Sequence, residues 1–196
     1  MKIVKFLGAA AAAILLTSGS GYAASQVVVG GELIGARNVD VGGVLYDVSF
    51  ESLSCVELFD GCDEASDFAF STFQDARAAS IALNNQVFFD GPLGDFDSNP
   101  ELTRGITRSR GIMATIFGFS ETPGGVDYSN FENGNGTPGN GDTDRGARSI
   151  GVDVTPTGLV TFAKWEVAAV PLPAGGLLLM SGLAGLLVFR RHAKAA

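Results

Sequence analysis

The sequence predicts a mainly β fold: an antiparallel, sandwich-like domain with one short helix, flanked by an N-terminal signal helix and a C-terminal transmembrane helix. Three observations lead to this fold class. The 27 glycines indicate many tight turns and short strands. Apolar residues make up 46% of the chain and charged residues 17%, which is typical of a folded domain. Both chain ends are apolar segments next to basic residues, as in targeting segments.

The N-terminal segment, residues 1–23, has the three parts of a secretory signal peptide. Lys2 and Lys5 form the charged start, residues 6–16 are apolar, and small residues follow. A cut between Ala23 and Ala24 places small side chains at the positions that signal peptidase requires to be small. The apolar run is too short to span about 30 Å of hydrocarbon. We therefore expect export, with signal peptidase as a partner.

The C-terminal segment, residues 170–196, has three parts in a fixed order. The motif Val170, Pro171, Leu172, Pro173, Ala174 comes first, and its two prolines hold the chain extended. Residues 175–189 carry no charge, and as a helix they cover about 22 Å, which is marginal for a bilayer. The basic residues Arg190, Arg191 and Lys194 follow; they can snorkel to the interface and favour the cytoplasmic side. The preceding residues, 24–169, are then the exported β-rich domain.

This terminal arrangement resembles the VPLPA-type sorting signal, a variant of the PEP-CTERM signals of Gram-negative bacteria, over residues 170–196. The resemblance implies an exosortase-type processing enzyme as a partner and anchoring in the inner membrane through residues 175–189 before processing. It also implies a later location at the cell surface or in the medium, and a link to exopolysaccharide and biofilm material. Leu172 stands where the commoner form has Glu. A plain single-pass anchor is the alternative interpretation of this tail.

Charge and histidine content limit the chemistry of the exported domain. Residues 24–169 contain eight basic and all 21 acidic residues, a net charge of about −13, which disfavours nucleic-acid binding. The single histidine, His192, lies in the tail, so Ser-His-Asp catalysis and histidine-bound zinc are excluded from the domain. We expect no cofactor and no catalytic residues. A hydrolase using two carboxylates is the enzyme class left open.

Local patterns predict several elements of the domain. Val39 and Val41, the pair Gly42-Gly43, and alternating apolar residues over 44–50 predict a β-hairpin. Residues 27–29, with Leu33 and Ile34, predict one earlier strand. A helix is expected over 73–87, because Thr72 and Asp75 form a capping-box-like start. Further expectations are a strand over 111–119, a hairpin of 149–155 with 159–167, and a loop over 134–141.

Cys55 and Cys62 are the only cysteines. In an exported protein, two cysteines seven positions apart favour a disulfide that closes a small loop. A metal site on two cysteines is disfavoured, because no histidine is available outside the tail.

Two charged segments are candidate ligand sites. Asp95, Asp97 and Asn99, with Asp90 and Glu101 nearby, resemble the start of a calcium loop, but Pro100 and Ile106 stand where the loop needs Gly and Glu. Asp142 and Asp144 are a weaker acidic candidate. Arg104, Arg108 and Arg110 form the basic cluster of the domain. That cluster either contacts an anionic polysaccharide or pairs internally with the Asp-rich segment just before it.

These expectations favour a non-catalytic protein of the envelope or extracellular matrix, sorted by an exosortase-type system and contacting exopolysaccharide. Two alternatives stay open: a carboxylate-dependent glycosidase acting on extracellular polysaccharide, and a calcium-dependent adhesin.

Overall fold

The computed structural model describes residues 23–59, 61–134 and 142–169. The predicted signal segment up to residue 22, the 135–141 part of the predicted glycine-rich loop, and the predicted sorting segment from Val170 onward lie outside these residues. Within the described ranges, no helix has the length and apolar character needed to cross a membrane.

The described residues form nine strands and two α-helices. In chain order they are β1 (Ser25–Val29), β2 (Glu32–Val41), β3 (Val44–Glu51), α1 (Cys55–Leu58), α2 (Phe73–Gln86), β4 (Asp90–Gly91), β5 (Gly94–Asp95), β6 (Arg110–Phe119), β7 (Gly125–Gly134), β8 (Thr143–Gly151) and β9 (Val160–Val167).

Seven strands form one sheet in the order β1-β2-β3-β9-β6-β7-β8, and β4 pairs with β5 in a separate ribbon. The strands β1, β2 and β3 make one antiparallel meander, and β6, β7 and β8 make another. Strand β9 lies between them, antiparallel to β3 and parallel to β6. The prediction of a mainly β domain is confirmed, and the short helix that was predicted corresponds to α2. The predicted antiparallel, sandwich-like arrangement is wrong, because seven strands form one mixed sheet.

Glycine pairs form the two turns of the first meander. Gly42 and Gly43 have φ angles of 63° and 90°, a left-handed conformation that a two-residue hairpin requires and that glycine adopts without strain. The hairpin of β2 and β3 predicted from this pair is confirmed. Gly30 and Gly31 make an equivalent turn between β1 and β2. The segment predicted as one strand is therefore a second hairpin.

The predicted hairpin of 149–155 with 159–167 is wrong. Strand β8 ends at Gly151 and pairs with β7, whereas β9 pairs with β3 and β6. Residues 152–159 carry the chain from the edge of the sheet to its middle, across about three strand spacings of ~4.8 Å. The Pro156-Thr157-Gly158 turn signal thus belongs to a crossover, in which the Gly158 carbonyl accepts from the Thr107 amide at 2.8 Å.

Helix α2 covers one face of the sheet, and its predicted start and end are confirmed to within one residue. The Thr72 hydroxyl oxygen accepts from the Asp75 amide at 3.2 Å and satisfies one of the free N–H groups of the first turn. The predicted apolar face, formed by Ala76, Ala79, Leu83 and Val87, is fully buried.

The main hydrophobic core lies between α2 and the sheet. It includes Leu33, Phe50, Met113, Phe131 and Trp165. The indole Nε1 of Trp165 donates to the Thr115 hydroxyl at 3.1 Å, so this buried polar group is satisfied. The helix takes the position that a second sheet occupies in a sandwich. Because an amphipathic helix and a sheet can bury the same strand face, strand patterns alone did not separate the two arrangements.

A second, smaller core lies on the opposite face of the sheet. Ala114, Ile116, Val126 and Phe162 alternate with residues of the main core along their strands and pack against Cys55, Leu58 and Cys62. The Cys55–Cys62 disulfide, with Cα atoms 5.6 Å apart, closes the short loop that carries α1. Glu57 accepts from the amide and the hydroxyl of Ser54, at 2.9 and 2.7 Å, and these bonds lower the pKa of Glu57. The loop covers this part of the sheet.

Replacing both Cys55 and Cys62 with Ala is expected to lower the free energy of unfolding by about 2–3 kcal/mol, because the cross-link restricts the unfolded chain. In a domain of this size the melting temperature should fall by roughly 5–10 °C, measurable by circular dichroism. A thiol reductant should produce a similar fall in the parent protein and none in the variant. Equal melting temperatures for parent and variant would show that the loop is held without the disulfide.

Candidate functional site

The candidate site is a groove on the sheet face opposite α2, next to the part that the disulfide loop covers. Along β7, Ser129, Phe131 and Asn133 point to the helix side, where Ser129 and Asn133 bond to Ser80 and to the Phe96 carbonyl. The alternate residues Tyr128, Asn130 and Glu132 therefore point to the other face. We call the space they line, together with Arg110, Ile112, Arg145 and Arg148, the arginine groove.

Glu132 lies in the floor of the groove and binds two arginines. Its Oε2 lies 2.9 Å from a guanidinium nitrogen of Arg145 in an ion pair, and its Oε1 accepts from Arg110 at 3.5 Å. The carboxylate side chain is 8% exposed, whereas the two guanidinium side chains are 43% and 55% exposed. One buried anion thus holds two cations at the surface, with most of their N–H groups left for other acceptors.

A β-bulge brings Arg145 and Arg148 to the same face. Strict alternation would place positions 145 and 148 on opposite faces of the sheet. The register of β8 shifts, however: Gly146 pairs with Asn130, and Asp144 pairs with the next residue of β7, so Arg145 is an extra residue. Gly146 has a φ of 76° at this point, a conformation that favours glycine. Arg148, opposite Tyr128, therefore shares the groove with Arg145.

Asn130 contributes a buried acceptor without a partner. The residue is 2% exposed, and its Nδ2 donates to the Gly146 carbonyl at 3.1 Å. Among the described residues, no group donates to its Oδ1. A buried polar atom without a partner carries a desolvation penalty, and such atoms at a groove are candidates for contact with a ligand or a bound water.

Tyr128 and Arg148 form the side of the groove that borders the smaller core. Burial of Tyr128 raises the pKa of its phenol, and the Arg148 charge opposes that shift. The phenol is therefore neutral and a donor near neutral pH. Of the described residues, none makes an ion pair with Arg148. Its guanidinium is exposed and open to an external anion.

The arginine groove has a volume of 240 Å³, below the ~300 Å³ at which pockets for drug-sized molecules begin. Three arginines and one glutamate give it a local charge of about +2, in a domain of about −13. Its donors, its one free acceptor and its aromatic ring suit a small anionic group with neighbouring hydroxyls. Among the described residues that line it, Glu132 is the only acid.

The predicted arginine cluster is divided by the structure. Arg104 pairs with Glu32 at 3.4 Å, on strand β2, while Arg110 belongs to the groove; Arg108 is exposed between them. Arg104 and Arg110 therefore pair internally, but with Glu32 and Glu132 and not with the Asp-rich segment. The partners of Arg110 in the groove, Arg145 and Arg148, come from residues 143–148 of β8, which precede the strand predicted over 149–155.

The calcium-loop candidate is a turn around the β4–β5 ribbon. Asp90 accepts from the amides of Asp97 and Ser98, at 3.1 and 3.0 Å, and from the Ser98 hydroxyl at 2.6 Å. The bonds from Ser98 lower the pKa of Asp90. Asp95 is exposed, Asp97 is buried, and the Asn99 amide donates to the Asp95 carbonyl at 2.8 Å. In the described part of the chain, no three acids, cysteines or histidines come together as a metal site.

Asp142 and Asp144, the weaker acidic candidate, make separate contacts. Asp144 forms an ion pair with Arg77 and so ties β8 to helix α2. Asp142 accepts from the Gly134 amide at 3.1 Å. Burial raises the pKa of Asp142, and that hydrogen bond opposes the shift.

The predicted processing residues are mostly outside the described ranges. The motif residues 170–174 and the basic residues Arg190, Arg191 and Lys194 lie outside the described residues. Ala23 is exposed, and Ala24 packs against the main core.

Replacing Glu132 with Gln should lower the free energy of unfolding by roughly 1–2 kcal/mol. The substitution leaves two arginines without their anion, but these are half exposed and water screens them, so the loss is smaller than for a fully buried pair. Denaturant unfolding would measure the loss. Glu166→Gln is a matched control, because Glu166 is 72% exposed and 3.8 Å from Lys164, and it should change stability by less than about 0.5 kcal/mol. Equal losses would argue that Glu132 does not organise the groove.

No family model matches the chain, and no curated protein or solved structure matches it. Function is therefore argued from the groove and from the terminal segments.

Proposed function

We propose that this chain is a non-catalytic exported protein of the cell envelope or extracellular matrix, sorted by an exosortase-type system, which contacts exopolysaccharide through the arginine groove. The observation that carries the contact is the position of Arg110, Arg145 and Arg148 around one groove of an acidic domain. Planar guanidinium groups bind carboxylates and related anions through paired hydrogen bonds.

Delivery rests on the two ends of the sequence. The signal-like residues 1–23 and the tail 170–196 each support a location of the domain outside the cytoplasm. The Cys55–Cys62 disulfide is compatible with an exported domain.

The groove favours binding over hydrolysis. A two-carboxylate glycosidase needs a second acid roughly 5–9.5 Å from the first, across the scissile bond. Glu132 is the one acid among the described lining residues, and it already pairs with two arginines, so the groove lacks the second carboxylate that this mechanism needs.

Electrophoresis of the exported protein through a gel containing exopolysaccharide from the producing cells should show retarded mobility relative to a gel containing a neutral dextran. The double variant Arg145→Gln/Arg148→Gln should migrate at nearly the same rate in both gels, because each substitution removes a charge-assisted contact. The double variant Arg104→Gln/Arg108→Gln is the charge-matched control, since neither arginine lines the groove, and it should stay retarded.

Three results would contradict this proposal. Unaltered mobility of the parent protein would remove the polysaccharide contact. New reducing ends in the polymer would favour the glycosidase. Heat and thermal stabilisation on adding calcium would favour the adhesin.

Mass spectrometry of the protein recovered from membranes and medium tests delivery separately. We expect the N-terminus at Ala24, an oxidised cysteine pair, and a mature form that lacks residues 175–189. Substituting Ala for both Pro171 and Pro173 should leave export intact and cause the unprocessed chain to accumulate in the membrane fraction. A mature chain that retains the whole tail would favour the plain single-pass anchor.

A further inference from the structure

Beyond a general attraction for polyanions, we propose that the arginine groove is a subsite for a single hexuronate unit of a polysaccharide. Arg145 and Arg148 bind the sugar carboxylate, and Asn130 accepts from a ring hydroxyl. This assignment rests on the proposed function, because it names the ligand class of the same groove.

The size of the groove suits one sugar unit. At 240 Å³ the open groove is smaller than a typical pocket for a drug-sized molecule, so we match it to an anionic group and hydroxyls carried by a single sugar ring. A hexuronate meets this condition, since its carboxyl group is attached directly to the ring that bears its hydroxyls.

The charged part of the site already binds a carboxylate. Arg145 holds Glu132 Oε2 at 2.9 Å, which fixes the guanidinium and leaves its remaining N–H groups available. Arg148 lies on the same face because of the bulge and has no ion-pair partner among the described residues. Two planar donors that line the same groove suit a second planar anion, and Glu132 keeps one of them in place before binding.

The neutral part of the site selects a hydroxyl donor. Asn130 is 2% exposed, lines the groove, and its Oδ1 accepts from no described residue. A simple anion such as sulfate has only acceptors and would leave this atom unpaired. A sugar hydroxyl satisfies it. The acceptor is unpaired in the free protein, so a ligand that donates a hydrogen bond to it is favoured over a ligand that cannot donate.

The ring of Tyr128 completes the subsite. It is half-buried against Phe162, with ring centroids 6.5 Å apart, so its orientation is set by the smaller core. A fixed aromatic ring beside donors can pack against the apolar C–H face of a pyranose, as aromatic side chains do in small-ligand pockets.

Calorimetry with trigalacturonate, using the exported protein purified from cells that produce the full chain, tests the assignment. We expect binding that weakens by about tenfold or more for the methyl ester of the same trisaccharide, which lacks the charge. A sulfated oligosaccharide of equal length should be similarly weak, because its ester oxygen holds the anion one atom further from the ring than a carboxyl group. Inorganic sulfate should be weak because it cannot donate to Asn130 Oδ1. Arg148→Gln should weaken trigalacturonate binding about tenfold or more, and Arg104→Gln should not.

Asn130→Leu should weaken trigalacturonate binding about fivefold, the scale of one neutral hydrogen bond. Asn133→Leu is the matched control, because Asn133 lies on the same strand, is also buried, and points to the opposite face. If either variant fails to fold, a trisaccharide with methylated ring hydroxyls supplies the same comparison with the parent protein.

Each outcome bears on a stated claim. Equal affinity for the sulfated oligosaccharide or for the methyl ester would overturn the hexuronate assignment. Failure of trigalacturonate to bind, while the whole polymer still retards the protein through Arg145 and Arg148, would also overturn the hexuronate assignment. That result would leave the proposed function intact. Absence of polymer binding, with trigalacturonate still bound in the groove, would contradict the proposed function and keep the subsite.

Discussion

The sheet depends on β9, because this strand provides the hydrogen bonds that join its two halves. Without it, β3 and β6 would each end a three-stranded meander with a row of unpaired backbone groups, which is costly when buried. The side chains of β9 also contribute to both hydrophobic cores. Ala163 and Trp165 belong to the main core, and Phe162 belongs to the smaller core. One strand therefore connects the two meanders and the two hydrophobic layers.

Features set by neighbouring residues could be predicted from the sequence. The Gly42-Gly43 turn, the cap at Thr72 and the buried face of α2 depend on contacts within a few positions. Strand β7 was missed because its polar residues, such as Asn130 and Glu132, argue against a central strand. They are tolerated there because Asn130 bonds to Gly146 and Glu132 to two arginines, contacts that no local pattern contains. The position of β9 was missed for the same reason, since parallel pairing follows from a crossover.

The arginine groove was even harder to predict from local sequence patterns. Its residues come from three strands, and one of its arginines reaches the groove through a bulge. The sequence did show that the domain has many acidic and few basic residues, so a groove lined by three arginines is unusual in it. It showed Arg104, Arg108 and Arg110 as neighbours, although the structure brings Arg110 to two arginines more than thirty positions away. The glycine at position 146, after a basic residue within a polar run, was the available signal for the bulge.

The order of the strands along the chain also determines the order in which parts of the fold can form. Because synthesis starts at the N-terminus, β1, β2 and β3 emerge first, then the disulfide loop and α2, then β6, β7 and β8, and only afterwards the strand that joins them. Until residues 160–167 have emerged, the chain has two meanders with exposed edges that favour pairing with other chains. Completion of the fold therefore coincides with the arrival of the segment just before Val170. A fragment shortened by one strand at this end would be prone to aggregation, even though it retains the groove's residues.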